Sequence, residues 1–548
     1  MVNVRPFLLA ATLILAFGTQ TWIGSATPPG ISIGHNFTSS TFGVNSQALP
    51  PDPNGVIGPR HYVEFINGSF TVYIKTNGNS VKRIADTKFW ANAGVTLATS
   101  DAVTDPRIIY DPVSDRWFAS MVDFDANAAS DPSLESNDFL LAVSLTSDPT
   151  GAWKGFLFQS DPDNGLFADF PTLGVDSNAV YLSGDFYYGE DNPLGAGLVS
   201  FPKADLLAAA PTITNRTWFG VMAYAQRGEV MQPARCYDNS VTGRLLAASD
   251  IGMDSNPHSN IVSSTVSNGG GPGATLSAPT FIPTLPWEVP DNVYLGVPQF
   301  YVIQPDGTDT LVANDARISA NVYAVNGVLF AAHNTQFNNH VAIRWYRIRA
   351  ADNALLESGT IADPNADLTY PSIAANQYGV VMICFNGSGP SLYISCYAMA
   401  GQTVNGVTTF GNRVLLQSSA TSYHDLYEEL GLAETSRWGD YSSTSVDPTD
   451  PNRFWSIQMY ASDSDVWSTQ ITELITTPQV SLTIQPSGTN VIVSWPNVPG
   501  YHLQSATNFS SSPAWSNVVQ TPGTNNGFLT VTWPVPASSR QFFRLKMP

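Results

Sequence analysis

Four aspartates stand at matching places along the chain and offer the most chemistry. Asp52 and Asp105 each directly precede a proline, and Asp169 and Asp440 sit two residues before Pro171 and Ser442. Two carboxyl groups about 5–10 Å apart can cleave a glycosidic bond, one as acid and the other as nucleophile or base. The same oxygens suit Ca²⁺, a hard cation. An Asp at a strand start also caps its own turn by accepting backbone N–H groups, and the residues alone leave all three uses open. Arg107, Arg235 and Arg437 lie near the same strand starts, and Trp438 follows the last. They are candidate ligand-binding residues, because a guanidinium grips an anionic sugar through two parallel hydrogen bonds. Pairing with the neighbouring Asp residues is the alternative.

The places match because the chain repeats. Segments beginning at Pro53, Pro106, Pro171, Pro233, Asn321, Pro371 and Ser442 each run five residues into a turn at Gly58, Asp111, Asp176, Asp238, Asn326, Asn376 or Asp447. An apolar strand follows every turn, as in RWFASMV or VVMICF. Short strands joined by Asp, Asn and Gly turns, repeated at this spacing, predict a seven-bladed β-propeller. The repeated segment is the innermost strand, so the four aspartates should converge at one axial mouth. Asp111, Asp176, Asp238 and Asp447 are explained by their turns. Third strands are expected at 69–75, 139–145, 341–348 and 391–399. The long interval before Asn321 holds a Gly-, Pro- and Ser-rich insertion at 254–292, read as a loop over one face. The last repeat lacks an outer strand, and the strand-like stretch 31–37 is expected to supply it.

Other polar groups carry weaker signals. His424, Asp425, Glu428 and Glu429 form a short polar stretch that offers an acid or base to the mouth, or a solvated loop. The acidic runs 123–138 and 161–169 could bind Ca²⁺ but do not follow EF-hand spacing. No cofactor is certain; Ca²⁺ is the one the carboxylates suggest.

Bulk composition narrows the class. The 548 residues carry a formal charge of −20, with 12% charged residues, 42 Gly and 39 Pro. A surface this acidic repels phosphate backbones, which argues against nucleic acid and anionic membranes as partners. Turn-rich, aromatic-rich composition fits a β protein with ample core. Arg5, the apolar run 7–17 and the small residues Gly24, Ser25 and Ala26 read as a cleaved export signal over 1–26. No later run is long enough to span a bilayer, so a secreted, surface or periplasmic monomer is expected. Cys384 and Cys396 flank a hairpin turn, either as a disulfide or as two buried thiols; Cys236 is expected in the core. The propeller is placed at 27–477. A composition change then marks a small β-sandwich at 478–548, with Trp495 and Trp515 as core residues.

Several segments resemble a broad group of exported bacterial propeller proteins of unassigned activity. They are PPDPNGVIGP at 50–59 with His61, Tyr62 and Val63; 105–111 with Arg116 and Trp117; IRWY at 343–346; and RWGDYS at 437–442 with Val446, Asp447 and Pro448. The resemblance covers most of 45–470 and implies a fold but no reaction. The end of the chain, Gln541 to Leu545, is similar to a C-terminal module common on secreted bacterial proteins, which implies delivery or attachment. No Asp-box is present, unlike sialidases. Asp52 to Gly55 resembles a segment of fructan-cleaving five-bladed propellers, but the repeat count differs. The expected function is binding of a polysaccharide or extracellular protein at the axial face. The alternative is a glycoside hydrolase or polysaccharide lyase using the mouth carboxylates.

Overall fold

The structure, a computed structural model, describes residues 28–548 apart from 129–130, 190–191, 250–256, 291–300, 309, 405, 478–479, 481, 498–500, 508–513, 526–527, 535–540 and 547–548. The expected export signal at 1–26 lies outside the described residues. The chain is mostly β. Each repeated segment is the first strand of an antiparallel set: Asn54–Ile57, Asp101–Asp111, Phe167–Val175, Glu229–Cys236, Val322–Val325, Asp367–Ala375 and Ser443–Val446. Each of these first strands lies against the next in chain order, and Ser443–Val446 lies against Asn54–Ile57, so the cycle closes. Crowding around that cycle explains why the strands are buried on both faces, as along all of Asp367–Ala375.

Neighbouring sheets pack face to face through apolar side chains. Phe65, Phe70, Trp90, Trp117 and Trp153 fill the space between the first two sets. Tyr62, Tyr73, Trp455 and Ile457 fill the space between the first and last. Each such aromatic, wholly buried, contributes on the order of 2–3 kcal/mol through the hydrophobic effect.

The turn residues fasten each set to the one after it. Asp176 accepts from its own Ala179 N–H (2.9 Å) and Tyr181 O–H (2.9 Å), and from Gly243 N–H of the next set (2.6 Å). Asp238 accepts from Asn326 N–H at 2.6 Å, Asn326 donates to Gln377 O at 3.0 Å, and Asn376 donates to Pro451 O at 2.7 Å. Asp111 pairs with Lys203 at 2.9 Å, and Asp447 closes the series on Lys75 of the first set at 2.6 Å. In the first repeat the turn residue is Gly58, where a Cβ would sit 2.5 Å from the Trp117 ring. There an indole takes the place of the polar link.

The last set is completed from the other end of the chain. Ile31–Thr41 pairs antiparallel with Val466–Thr476, from Ile31 opposite Thr476 to Thr41 opposite Ser468. This removes the edge that the last repeat leaves open.

Two sequence expectations are corrected, and the open choice for the cysteines falls on free thiols. Within the insertion at 254–292, His258–Ser267 and Thr280–Trp287 are the third and fourth strands of their set rather than a loop. Their alternating Ser, Thr and apolar residues fit a half-exposed outer sheet, and the Gly-rich run between them is the hairpin turn; 254–256 and 291–292 lie outside the described residues. Cys396 stands opposite Asn386 and not Cys384; both thiols are free and buried, as is Cys236. In the C-terminal region Trp495 is buried, but Trp515 is partly exposed beneath the Arg544 guanidinium, 4.4 Å from the ring. That region forms two sheets whose apolar faces share one core through Val493, Trp495, Leu503, Val531, Phe543 and Leu545.

Candidate functional site at the acidic mouth

The first strands begin in unusual backbone. Asp52, Asp105, Phe170 and Tyr370 directly precede Pro53, Pro106, Pro171 and Pro371, and each has positive φ, from 47° to 61°. Asp tolerates this left-handed region, whereas Phe and Tyr rarely enter it. In three of these strands the ladder slips at the same point, between Thr104 and Arg107, Asp169 and Thr172, and Thr369 and Ser372. The bulges turn the residues before the prolines toward the axis. Strain of this kind is retained where the surroundings enforce it.

The four aspartates come together there. Asp52 is buried; its Oδ1 accepts the Asp440 N–H at 2.8 Å and its Oδ2 accepts Asn67 Nδ2 at 2.8 Å. Asn67 also accepts the Asp105 N–H at 3.0 Å, so one amide holds two of the acids. The Tyr441 hydroxyl donates to Asp105 Oδ2. Asp440 pairs with Arg437 at 2.8 Å and accepts from Asn314 Nδ2 at 3.1 Å. Asp169 stands directly opposite Asp185 on the adjoining strand. The bulge and the buried amide explain the convergence: each carboxylate is set by backbone, not by a flexible arm.

Burial and mutual repulsion shift these acids. Burial, then the charge of Asp440, pushes Asp52 up to about 7, against the pull of Arg437. Asp105 is driven well above the usual carboxylate range by burial and then by Asp169, Asp52 and Asp440. Burial also raises Asp169, and lifts Asp185 to about 7. Arg437 is held protonated chiefly by Asp440. Several close carboxyls thus share protons as a group.

Asp169 and Asp440 open onto a cavity of about 560 Å³, walled by Arg317, Arg437, Phe170 and Tyr187. Arg317 is anchored by Asp315 at 2.8 Å and Glu229 at 3.6 Å. Aromatic walls beside charged, planar hydrogen-bonding groups suit a polyhydroxylated ring, whose C–H face stacks and whose hydroxyls bond.

The other sequence candidates fall elsewhere. Arg437 reaches the mouth, with its side chain 55% exposed. Arg107 and Arg235 do not: they are 0% and 1% exposed, below the mouth, and clamp nothing there. Arg107 donates to Pro171 O at 2.6 Å and Ser319 O at 2.9 Å. Both arginines lie past the middle of their buried inner strands, beyond the residues that line the mouth, so neither reaches the cavity there. Trp438 is buried, its indole N–H donated to Asn386 Oδ1 at 3.3 Å, and it lines the cavity. His424 is tied to Asp306 at 2.7 Å and to Glu428 at 3.2 Å, a loop cluster rather than part of the acid group. Among the described residues no group of three or more His, Cys, Asp or Glu is arranged to hold a metal ion. Asn67, Asn314, Arg317 and Tyr441 were not singled out by the sequence. Tyr441 sits inside the RWGDYS motif and was within reach; Asn67 reads as an ordinary Asn-Gly turn.

No protein-family model matches the sequence, and no curated protein matches it. Among solved structures, the chain is similar to the GH93 α-L-arabinofuranosidase of Fusarium graminearum in complex with arabinobiose, at 9% identity over 77% of this chain and 92% of that one, with a TM-score of 0.36. It is similar to a protein of unknown function from Dyadobacter fermentans, at 10% identity over 80% and 97% of the two chains, TM-score 0.34. It is also similar to a thermostable family-43 glycoside hydrolase, at 10% identity over 71% and 97%, TM-score 0.29. Likenesses this distant carry no argument about function.

Proposed function

We propose that the protein acts on carbohydrate at the acidic mouth, as a glycoside hydrolase or polysaccharide lyase, with Asp169 and Asp440 as the working pair. One observation carries the reading: these two carboxylates meet the same cavity in opposite surroundings. Burial raises Asp169, which suits a proton donor, while Asp440 is ion-paired with Arg437, which suits a base or nucleophile. Asp52 and Asp105 lie behind them and set the proton balance of the group. The cycle of sets is read as a seven-bladed β-propeller at 27–477, and the two C-terminal sheets as a β-sandwich at 478–548. The protein is read as an exported monomer whose partner is a polysaccharide.

The second reading is recognition without turnover. Arg437 favours it, because an exposed guanidinium at the rim serves binding as well as catalysis. Incubating the protein with a panel of plant and microbial polysaccharides separates the two, with reducing ends, unsaturated products and binding measured together. Turnover that disappears in Asp169→Asn and Asp440→Asn, with binding kept, supports the enzyme. Binding with no product from any polysaccharide supports recognition. Turnover that survives both substitutions overturns the site.

A further inference from the structure

Below the acidic mouth the axis changes sign. The Tyr441 ring lies beneath Asp105, to which its hydroxyl donates, and the Arg107 guanidinium sits 3.5 Å from the centre of that ring. Arg235 follows, close enough that the charges of Arg107 and Arg235 bear on each other. Arg107 spends its bonds on backbone carbonyls and leaves Nη2 without a partner. Arg235 leaves both Nε and Nη2 without partners, and the other groups whose charge bears on it are Tyr237, Tyr323 and Tyr62. Neither guanidinium is ion-paired with a carboxylate among the described residues, and burying an uncompensated charge is costly even after relaxation.

Unpartnered donors gather at this point, while the unpartnered acceptors Gln232 Oε1 and Asn321 Oδ1 lie on neighbouring stretches of chain. Besides the guanidinium N–H groups, the Tyr62 hydroxyl is 1% exposed, bonds to nothing, and lies within the electrostatic reach of Arg235. Its place depends on Gly55 of the first inner strand, where a Cβ would stand 2.6 Å from the Tyr62 oxygen. A water accepts from two donors at most and still has its own hydrogens to place. An ion that only accepts satisfies every one of these donors at once.

We propose that a small inorganic anion of the chloride class occupies the axis between Arg107 and Arg235, with the Tyr62 hydroxyl as a further donor. The anion neutralises the cationic layer and ties the second and fourth sets, which carry the two arginines, to the first. This site is separate from the acidic mouth, and its test does not involve carbohydrate.

The experiment compares equilibrium urea midpoints in sodium chloride and in sodium gluconate at equal ionic strength. A ligand that binds only the folded state raises the midpoint with its concentration. The wild-type midpoint is expected to climb with chloride and stay flat in gluconate. In Arg235→Met, which keeps the length and removes the charge, the climb should vanish; in Tyr62→Phe, a milder change, it should shrink. Crystals soaked in bromide should show anomalous density beside Arg235. Equal wild-type midpoints in the two salts would overturn the proposal, as would a chloride response surviving both substitutions, or bromide found only at the surface.

Discussion

At one end of the inner strands Asp111, Asp176, Asp238 and Asp447 are each bonded to donors of their own hairpin or the next set. At the other end Asp52, Asp105, Asp169 and Asp440 face one another, and burial and mutual repulsion raise the first three. The residue type and the strands are the same. The difference lies in supply: the turn end offers N–H groups and lysines to every carboxylate, and the mouth offers too few. A carboxylate with its donors at hand is part of the scaffold. Carboxylates short of donors hold a proton more readily and can exchange it with a ligand.

Both ends depend on a closed ring, so the largest effect should come from opening it. Deleting residues 28–41 strips the strand that pairs with Val466–Thr476 and exposes that edge; the thermal midpoint should fall by many degrees and the product should aggregate. A deletion that melts like the intact protein would show that neither end relies on closure.

Next comes the turn end itself. Asp176→Ala leaves the buried N–H groups of Ala179 and Gly243 and the Tyr181 hydroxyl without an acceptor. At about 1–3 kcal/mol for each stranded group, the loss should be about 3–9 kcal/mol by urea denaturation. A loss under about 1 kcal/mol would place the turn acids with the surface charges.

The mouth should respond with the opposite sign. With Asp52 at about 7 in the folded chain against 3.8 unfolded, the native state keeps a proton that the unfolded chain has released. Stability therefore falls as pH rises from about 4 to about 7 and levels off above that. Asp52→Asn should flatten this slope and recover about 2–4 kcal/mol at pH 8, with the fold intact. Asp238 behaves in reverse: burial opposes ionisation, but Ser240 and the Asn326 N–H outweigh it and hold the carboxyl below its usual range. Its contribution is present above the unfolded value and fades as pH falls through the folded one. A stability curve of Asp52→Asn that declines as steeply as that of the intact protein between pH 4 and 7 would break the contrast.

The smallest effect should come from Lys75→Met. The pair with Asp447 is partly exposed, with 14% of the lysine side chain open to solvent, so about 1 kcal/mol is expected, and less in high salt.

The inner strands were legible because their chemistry is local. A Pro, Asn or Ser at the start and an Asp, Asn or Gly turn at the end mark each strand whatever surrounds it, and the place of the N-terminal strand beside the last set followed from counting strands. The convergence of the four aspartates was legible for the same reason, since equivalent places in a ring share an end. The direction of Arg107 and Arg235 was not, because a charged residue near a strand start reads as a rim residue unless the packing below it is known. The insertion was misread because outer strands that face water alternate Ser and Thr with apolar residues, much as loops do. Asn67 escaped because its two acid partners, Asp52 and Asp105, are distant in sequence and meet only in the folded chain.

The pairing of Ile31–Thr41 with Val466–Thr476 also sets a clock. A chain made from its N-terminus presents the first of these strands early and the second only after some four hundred residues more have been added. Until then the early strand has no proper neighbour, and any pairing it makes is one to be undone. Contacts so far apart in sequence form slowly, because a long loop must be closed before they give anything back. The order of synthesis therefore keeps the molecule unfinished until nearly all of the ring has emerged. A chain that crosses a membrane unfolded gains from that delay, since it cannot lock itself shut on the wrong side.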